Sequence, residues 1–538
     1  MYSTMQNSMT EWSFIAAQAH PDPFNEIELD ILLTDPDGEE MKIPAFWAGG
    51  NTWKVRCASP KVGKHTWRSL CSDPSDAGLH GREGELAVKP YAGDNPLFLH
   101  GPLRKSADGR YLEHLDGSPF FWLADTWWMG FCERLNWPDG FQTLTADRVG
   151  KQFNVVQIVA GLYPDMPAFD PRGVNEVGFP WEEDWARINP TYFDMVDLRM
   201  YHLVEQGIVP CLLGCWGYYL LWLGVEKMKQ HWRYLVARYG ALPAVWCLAG
   251  EGIMPYYLSE TKEEDRSSQR EGWTEVAQYV RQIDPYHHPL SIHPTDTACN
   301  QVEDRSLLDF DMLQTGHGDR GSIPNTMRLV EEACQRQPAI PVLNSEVCYE
   351  GIGEACRQEV QRFMFWNCML SGACGHTYGA NGIWQVNDRD RPYGPSPHGM
   401  AWGHTPWQEA YQLPGSKQLG FGKQLLERYA WWRFQPHPEW VEGHATREKY
   451  NRPFAGGVPG QVRVLFLPSG VWDVKLREIE ADVPYRAYLF SPVDGGEIEL
   501  GAVEVDAEGR WQPPLPRAPI FQDWVLVLEA DGARQIEG

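Results

Sequence analysis

The sequence predicts an α/β protein: a (β/α)8 TIM barrel flanked by two small all-β sandwich domains. Three observations carry this. Between about Leu112 and Phe434, short apolar runs alternate with helical stripes, the pattern of a parallel sheet with helices outside. Both ends of the chain show period-2 alternation instead. A length of 538 residues also exceeds what one core organises, so two or three domains are expected. The expected boundaries are 1–98, 99–436 and 437–538.

The first segment opens with Ile27, Leu29 and Ile31 alternating with Glu26, Glu28 and Asp30, a half-buried strand. Asp35-Pro36-Asp37-Gly38 is a turn, and strands over Lys42–Trp47 and Trp53–Cys57 follow. The barrel strands are expected at Phe120–Ala124, Val155–Val159, Ile208–Leu213, Ala244–Leu248, Pro289–Ile292, Phe310–Leu313, Pro341–Leu343 and Gly372–Thr377. Helical stripes run through Tyr192/Val196/Met200/Leu203, Trp232/Leu235/Val236/Tyr239 and Trp273/Val276/Val280/Ile283, with two further helices at Phe363–Leu370 and Leu425–Trp432. An open doubly wound sheet would carry a Gly-rich phosphate turn after its first strand, and Asp125-Thr126-Trp127-Trp128 stands there. Beyond Trp440, Val462/Val464/Phe466 and Tyr485/Ala487/Leu489 alternate, and Trp524–Leu528 is a last apolar strand.

Composition narrows the partners. A net charge of −25 argues against nucleic acid and anionic membranes. No apolar run approaches the ~20 residues that span a bilayer. The polar start, Met1 to Trp12, has no basic or apolar leader region, which predicts a cytoplasmic protein acting on imported fragments. The twelve cysteines form no CxxC or Cys/His set and read as small buried residues in a reducing compartment. The 25 tryptophans favour a carbohydrate partner, because sugar CH faces stack on aromatic rings. Homo-oligomerisation is left open.

In a barrel, catalytic groups sit at the C-terminal ends of strands. After the fourth run comes Ala249-Gly250-Glu251, and after the seventh Asn344-Ser345-Glu346. Two carboxylates facing each other across a barrel mouth suit a retaining glycosidase, in which one is acid/base (Glu251) and the other nucleophile (Glu346). Glu346 is preferred to Glu350 because it lies nearer the rigid strand end. The same position rule makes Gln157, Trp128, Trp216, Tyr218, His293, Tyr349, His376 and Tyr378 candidate sugar contacts. The long loop Gly379–Pro406 is expected to wall off one side and impose exo action. No cofactor or metal is implied: there is no H-x-H or HExxH motif, and no G-x-S-x-G elbow for a serine esterase. A non-catalytic carbohydrate-binding barrel is the alternative.

These stretches resemble clan A of the glycoside hydrolases and, more narrowly, the apiosidase-like barrel family. The matching residues are Asp116 to Trp127, Val245 to Glu251, Pro341 to Gly351 and the Trp431-Trp432 helix end. Asn25-Glu26-Ile27 and Trp53 to Arg56 are similar to the β-sandwich that often precedes such barrels. The resemblance implies that Asp125 binds sugar hydroxyls, Trp127 lines the pocket, His317 positions the nucleophile and Trp384 floors the subsite. It also implies a short glycoside substrate with a furanose or apiose-like terminal sugar. Two positions depart from the pattern. Gly250 stands where clan A usually has Asn, and Glu251 stands where apiosidase-like members tend to have Asp.

Overall fold

Eight parallel strands form the central sheet, one from each apolar run. In the computed structural model, which describes residues 2–471, 473–516 and 521–535, they are β1 (Trp122–Trp127), β2 (Val155–Val159), β3 (Val209–Leu213), β4 (Val245–Cys247), β5 (Leu290–Ser291), β6 (Asp311–Gln314), β7 (Val342–Glu346) and β8 (Gly375–Tyr378). Successive strands pair in parallel and β8 returns to β1, giving the order β5-β4-β3-β2-β1-β8-β7-β6. The seam between β5 and β6 is held by single bonds, because β5 is too short for a ladder. Asp309 N–H donates to the Leu290 carbonyl at 2.8 Å, and Ser291 Oγ donates to the Phe310 carbonyl at 2.8 Å. Strands covered on both faces read as continuous apolar runs, and every residue of Val155–Val159 is buried.

The outer helices are α1 (Asp139–Gly150), α2 (Pro190–Glu205), α3 (Val225–Tyr239), α4 (Lys262–Ile283), α5 (Ile323–Cys334), α6 (Gln358–Leu370) and α7 (Pro414–Leu426). The β5–β6 connection has two 3-10 turns, Ala298–Asn300 and Arg305–Leu307, in place of a helix. The last helix differs from the expected Leu425–Trp432. It starts at Pro414, ends at Leu426, and leaves Trp431–Arg433 as a separate 3-10 turn. Its glycines serve close packing: a Cβ on Gly422 would lie 2.4 Å from the Phe365 ring.

Before the barrel, a five-stranded sheet and a three-stranded sheet enclose Leu29, Ile31, Leu33, Val55, Trp53 and Leu86. Arg56 leaves this unit to reach Asp197 of α2, which also accepts from Arg238 Nε of α3 at 2.9 Å. After the barrel, the order along a six-stranded antiparallel sheet is 435–436, 454–458, 462–467, 524–530, 485–490, 497–502. Its alternation is used on both faces. Phe466, Tyr488, Phe490 and Val525 join the barrel core, while Leu465, Leu489 and Leu526 lie under Trp440, Leu476 and Trp511. Arg362 of α6 clamps this sheet through Asp523, with bonds of 2.8 and 2.7 Å. Ten of the twelve cysteines are buried and all twelve are free. Among the described residues no helix is long and apolar enough to cross a membrane.

Candidate active site

The chain just beyond β4 makes a sharp turn that aims Glu251. Its backbone sits at φ 45°, the left-handed region, a conformation that persists only where the surroundings hold it. They do so here: Gly250 N–H donates to the Cys215 carbonyl at 2.8 Å, and the Gly250 carbonyl accepts from Gly217 N–H at 2.7 Å. A Cβ on Gly250 would lie 2.1 Å from the Trp216 ring. The indole therefore occupies the space an Asn side chain would need, which gives the departure at this position a physical cause.

Glu346 ends β7 opposite. The two carboxylates are joined by Gln314 of β6, whose Nε2 donates to Glu251 Oε1 at 2.9 Å and to Glu346 Oε1 at 3.2 Å. The two Oε1 atoms are thus no more than about 6 Å apart. His317 Nε2 donates to Glu346 Oε1 at 2.7 Å, and His293 Nε2 lies 3.2 Å from Oε2. Burial alone would raise the Glu346 carboxyl, but the two histidines outweigh it and hold it at about 2. His317 feels the reverse balance. Burial would lower it, yet Cys348 and Glu346 beside it push it up to about 10, so it is cationic at neutral pH. Burial, and then the Glu346 charge, raise Glu251 above the ordinary carboxylate value. One carboxyl is thereby held as an anion and its neighbour biased toward the acid.

Both open into a cavity of about 220 Å³ lined by Trp128, Trp216, Glu251, Met254, Tyr257, His317, Glu346, Tyr349, Ile352, Trp384, His398 and Trp402, with Pro164 and Asp165. The loop 379–406 contributes Trp384, His398 and Trp402. The His398 ring stacks on Tyr257 from the β4 loop, with centroids 4.9 Å apart. Tyr349, after β7, is fixed from the end of β1, its hydroxyl accepting from Trp128 Nε1 at 2.9 Å. Among the described residues no group of His, Cys, Asp or Glu side chains is arranged to hold a metal ion.

Of the residues singled out in the sequence, Trp128, Trp216, Glu251, His317, Glu346, Tyr349 and Trp384 line this cavity, and His293 touches Glu346 behind it. The others lie elsewhere, chiefly because alternate residues of a barrel strand face opposite ways. On β1, Trp122 faces inward, its Nε1 donating to Thr377 Oγ1 at 3.2 Å, so Asp125 and Trp127 face the helices. Asp125 is fully buried and ion-paired with Arg148 at 2.6 Å, and Trp127 packs on Phe141 of α1. These two are corrected from sugar contacts to structural residues. On β8, His376 and Tyr378 face outward in the same way. His376 packs on Phe365 and is pushed down to about 3 by burial, and Tyr378 donates to Glu350 Oε2 at 2.6 Å. Gln157 is inside the barrel but below the cavity, donating to the Ser345 carbonyl at 3.0 Å. Tyr218 donates to the carbonyls of Tyr163 and Met166 at 3.1 Å, holding the loop that carries Asp165.

Sequence reasoning missed Gln314, Asp165, Tyr257, His398 and Trp402. Gln314 follows the sixth apolar run directly, so the position rule could have found it. His398 and Trp402 belong to the loop 379–406 that was expected to wall the pocket, though nothing in it singles out these side chains, and Asp165 and Tyr257 sit in irregular loops with no local signal.

Solved structures share this architecture. A glycoside hydrolase family 5 protein from Bacteroides vulgatus ATCC 8482 superposes with a TM-score of 0.67 at 24% identity, covering 81% of this chain and 94% of that one. A second protein from the same organism, provisionally assigned as a glycoside hydrolase, gives 0.69 at 18% identity, covering 98% and 100%. No curated protein matches the sequence. Fold and sequence family together make the protein a glycoside hydrolase with a TIM barrel. Residues 106–433, more than half of the chain, match the apiosidase-like catalytic domain, and the chain belongs to that family. Residues 4–72 match a domain of unknown function, DUF5060.

Proposed function

We propose that the protein is a retaining exo-glycosidase that removes one terminal sugar by double displacement. Glu346 attacks the anomeric carbon, Glu251 protonates the leaving oxygen, and Glu251 then deprotonates the water that releases the sugar. The observation that carries this is the Gln314 bridge between the two carboxylates. A separation of at most about 6 Å suits the ~5–5.5 Å of retaining enzymes, whereas inverting enzymes need ~6.5–9.5 Å to admit a water. The opposed pKa shifts support the same division of labour. A cavity below the ~300 Å³ of most ligand pockets, with the His398–Tyr257 stack in its wall, supports a single sugar ring and exo action. Family membership makes a furanose of the apiose type the first glycone to try.

The test is a panel of nitrophenyl pyranosides and furanosides. Wild type should release nitrophenol from at least one. Glu346→Ala should lose at least about 10³-fold in kcat, and azide should restore release with a glycosyl azide of inverted configuration. Unchanged release by Glu346→Ala and Glu251→Ala would place the chemistry elsewhere.

A further inference from the structure

Asp165, in the loop after β2, takes no part in the reaction proposed above. Its backbone sits at φ 63° and its residue is 2% exposed. Oδ2 accepts from Trp402 Nε1 at 3.3 Å, while Oδ1 is buried and makes no hydrogen bond of good geometry, with the Tyr257 and Ser396 side chains beside the carboxylate. Buried carboxylate oxygens are normally paired, since an orphan forfeits its hydration without return. This one belongs to a residue that lines the same cavity as Glu251 and Glu346. Arg172 lies beside it but is engaged elsewhere. Its Nη2 donates to the Asp165 backbone carbonyl at 3.4 Å and to Asp170 Oδ2 at 2.8 Å. Positive charge is therefore already supplied nearby, and what Oδ1 lacks is a donor. Against Asp165, Glu251 and Glu346, the cavity lining includes no lysine or arginine.

We propose that Asp165 selects the terminal sugar: its free Oδ1 accepts a hydroxyl of the glycone, and the cavity takes neutral sugars while rejecting uronic acids. A sugar carboxylate there would be desolvated beside like charges, and the cation at the cavity wall, His317, is already paired with Glu346 at 2.7 Å, whereas a hydroxyl completes the orphan acceptor. The aromatic lining, from Trp128, Trp216, Trp384 and Trp402, supplies stacking to a neutral ring. This rests on the glycosidase reading of the cavity but is tested separately, by binding.

Calorimetric titration of wild type, Asp165→Asn and Asp165→Ala would use free D-apiose, L-arabinose, D-xylose, D-glucose, D-galactose and D-mannose, with D-glucuronate, D-galacturonate and D-glucosamine alongside. At least one neutral sugar should bind wild type, and neither uronate should. Asp165→Ala should weaken that binding by ~10-fold or more, the loss expected for a hydrogen bond to a charged group, with Asp165→Asn in between. Thermal melting establishes that each variant is folded, and Asn, which tolerates positive φ, decides if Ala does not fold. The proposal is overturned if wild type binds no neutral sugar, if a uronate or glucosamine binds more tightly than its neutral counterpart, or if folded variants bind like wild type. Sugar binding without turnover of any nitrophenyl glycoside would refute the glycosidase reading alone. Turnover with unchanged binding in the Asp165 variants would refute this proposal alone.

Discussion

Two nitrogen donors converge on Glu346, from Gln314 and His317, with His293 Nε2 3.2 Å from its other oxygen, and the cationic His317 sets much of the local field. The sign of the pH dependence follows. Glu346, held at about 2, stays ionised through mild acid, while Glu251, raised above the ordinary value, keeps its proton longer than a free carboxyl. A pH profile of kcat/KM should therefore have an acid limb near 2 and a basic limb set by Glu251. His317→Gln removes the cation that depresses Glu346, so the acid limb should move to higher pH, by roughly a unit or more. An unmoved acid limb would detach His317 from the nucleophile. Which residues face the cavity was only partly legible in the sequence. Position after an apolar run found Glu251 and Glu346, and the family resemblance pointed to His317. Position could not separate Trp128 from Trp127, because a parallel barrel strand is apolar on both faces and alternation carries no direction. Asp165 had no signal, since its significance lies in a missing partner.

The strands and helices were easier to read. All eight apolar runs became barrel strands, because parallel strands covered on both faces are short, continuously apolar runs bounded by polar loops. Helix α7 was misread because Gly415, Gly420 and Gly422 are there for close approach rather than for a turn, and a one-dimensional pattern cannot tell these apart. The approach of α7 to the barrel has a chemical consequence. Gly415 N–H donates to Glu350 Oε2 at 3.0 Å, and Tyr378 donates to the same oxygen, yet burial dominates and pushes Glu350 up to about 7 from 4.5. The folded state thus holds this proton more tightly than the unfolded chain. The stability it contributes is full below pH 4.5 and is lost as pH rises through about 7. The Tm of Glu350→Gln should accordingly fall less than that of wild type between pH 5 and pH 8. Parallel curves for the two proteins would contradict the assignment.

The three parts of the molecule are joined by buried ion pairs at both flanks of the barrel: Arg56–Asp197–Arg238 on the N-terminal side and Arg362–Asp523 on the C-terminal side. Such pairs add modest net stability, but breaking one strands a charge. Asp523→Ala leaves Arg362 buried without its carboxylate and should destabilise the protein by about 3–5 kcal/mol, read as a lowered urea midpoint. A loss under about 1 kcal/mol would mean that water reaches the interface. None of these pairs was foreseeable, because each joins residues more than a hundred positions apart or on different helices. The division into β, barrel and β segments was visible, since each segment has its own hydrophobic period.

The measurement that tests the central claim most directly is the anomeric configuration of the first sugar released, followed by proton NMR before mutarotation. With Glu346 as nucleophile and Glu251 close enough to share Gln314, the account predicts that the product forms with the configuration of the substrate. An initially inverted product would mean that water, not Glu346, attacks the anomeric carbon, and the double-displacement mechanism would be wrong.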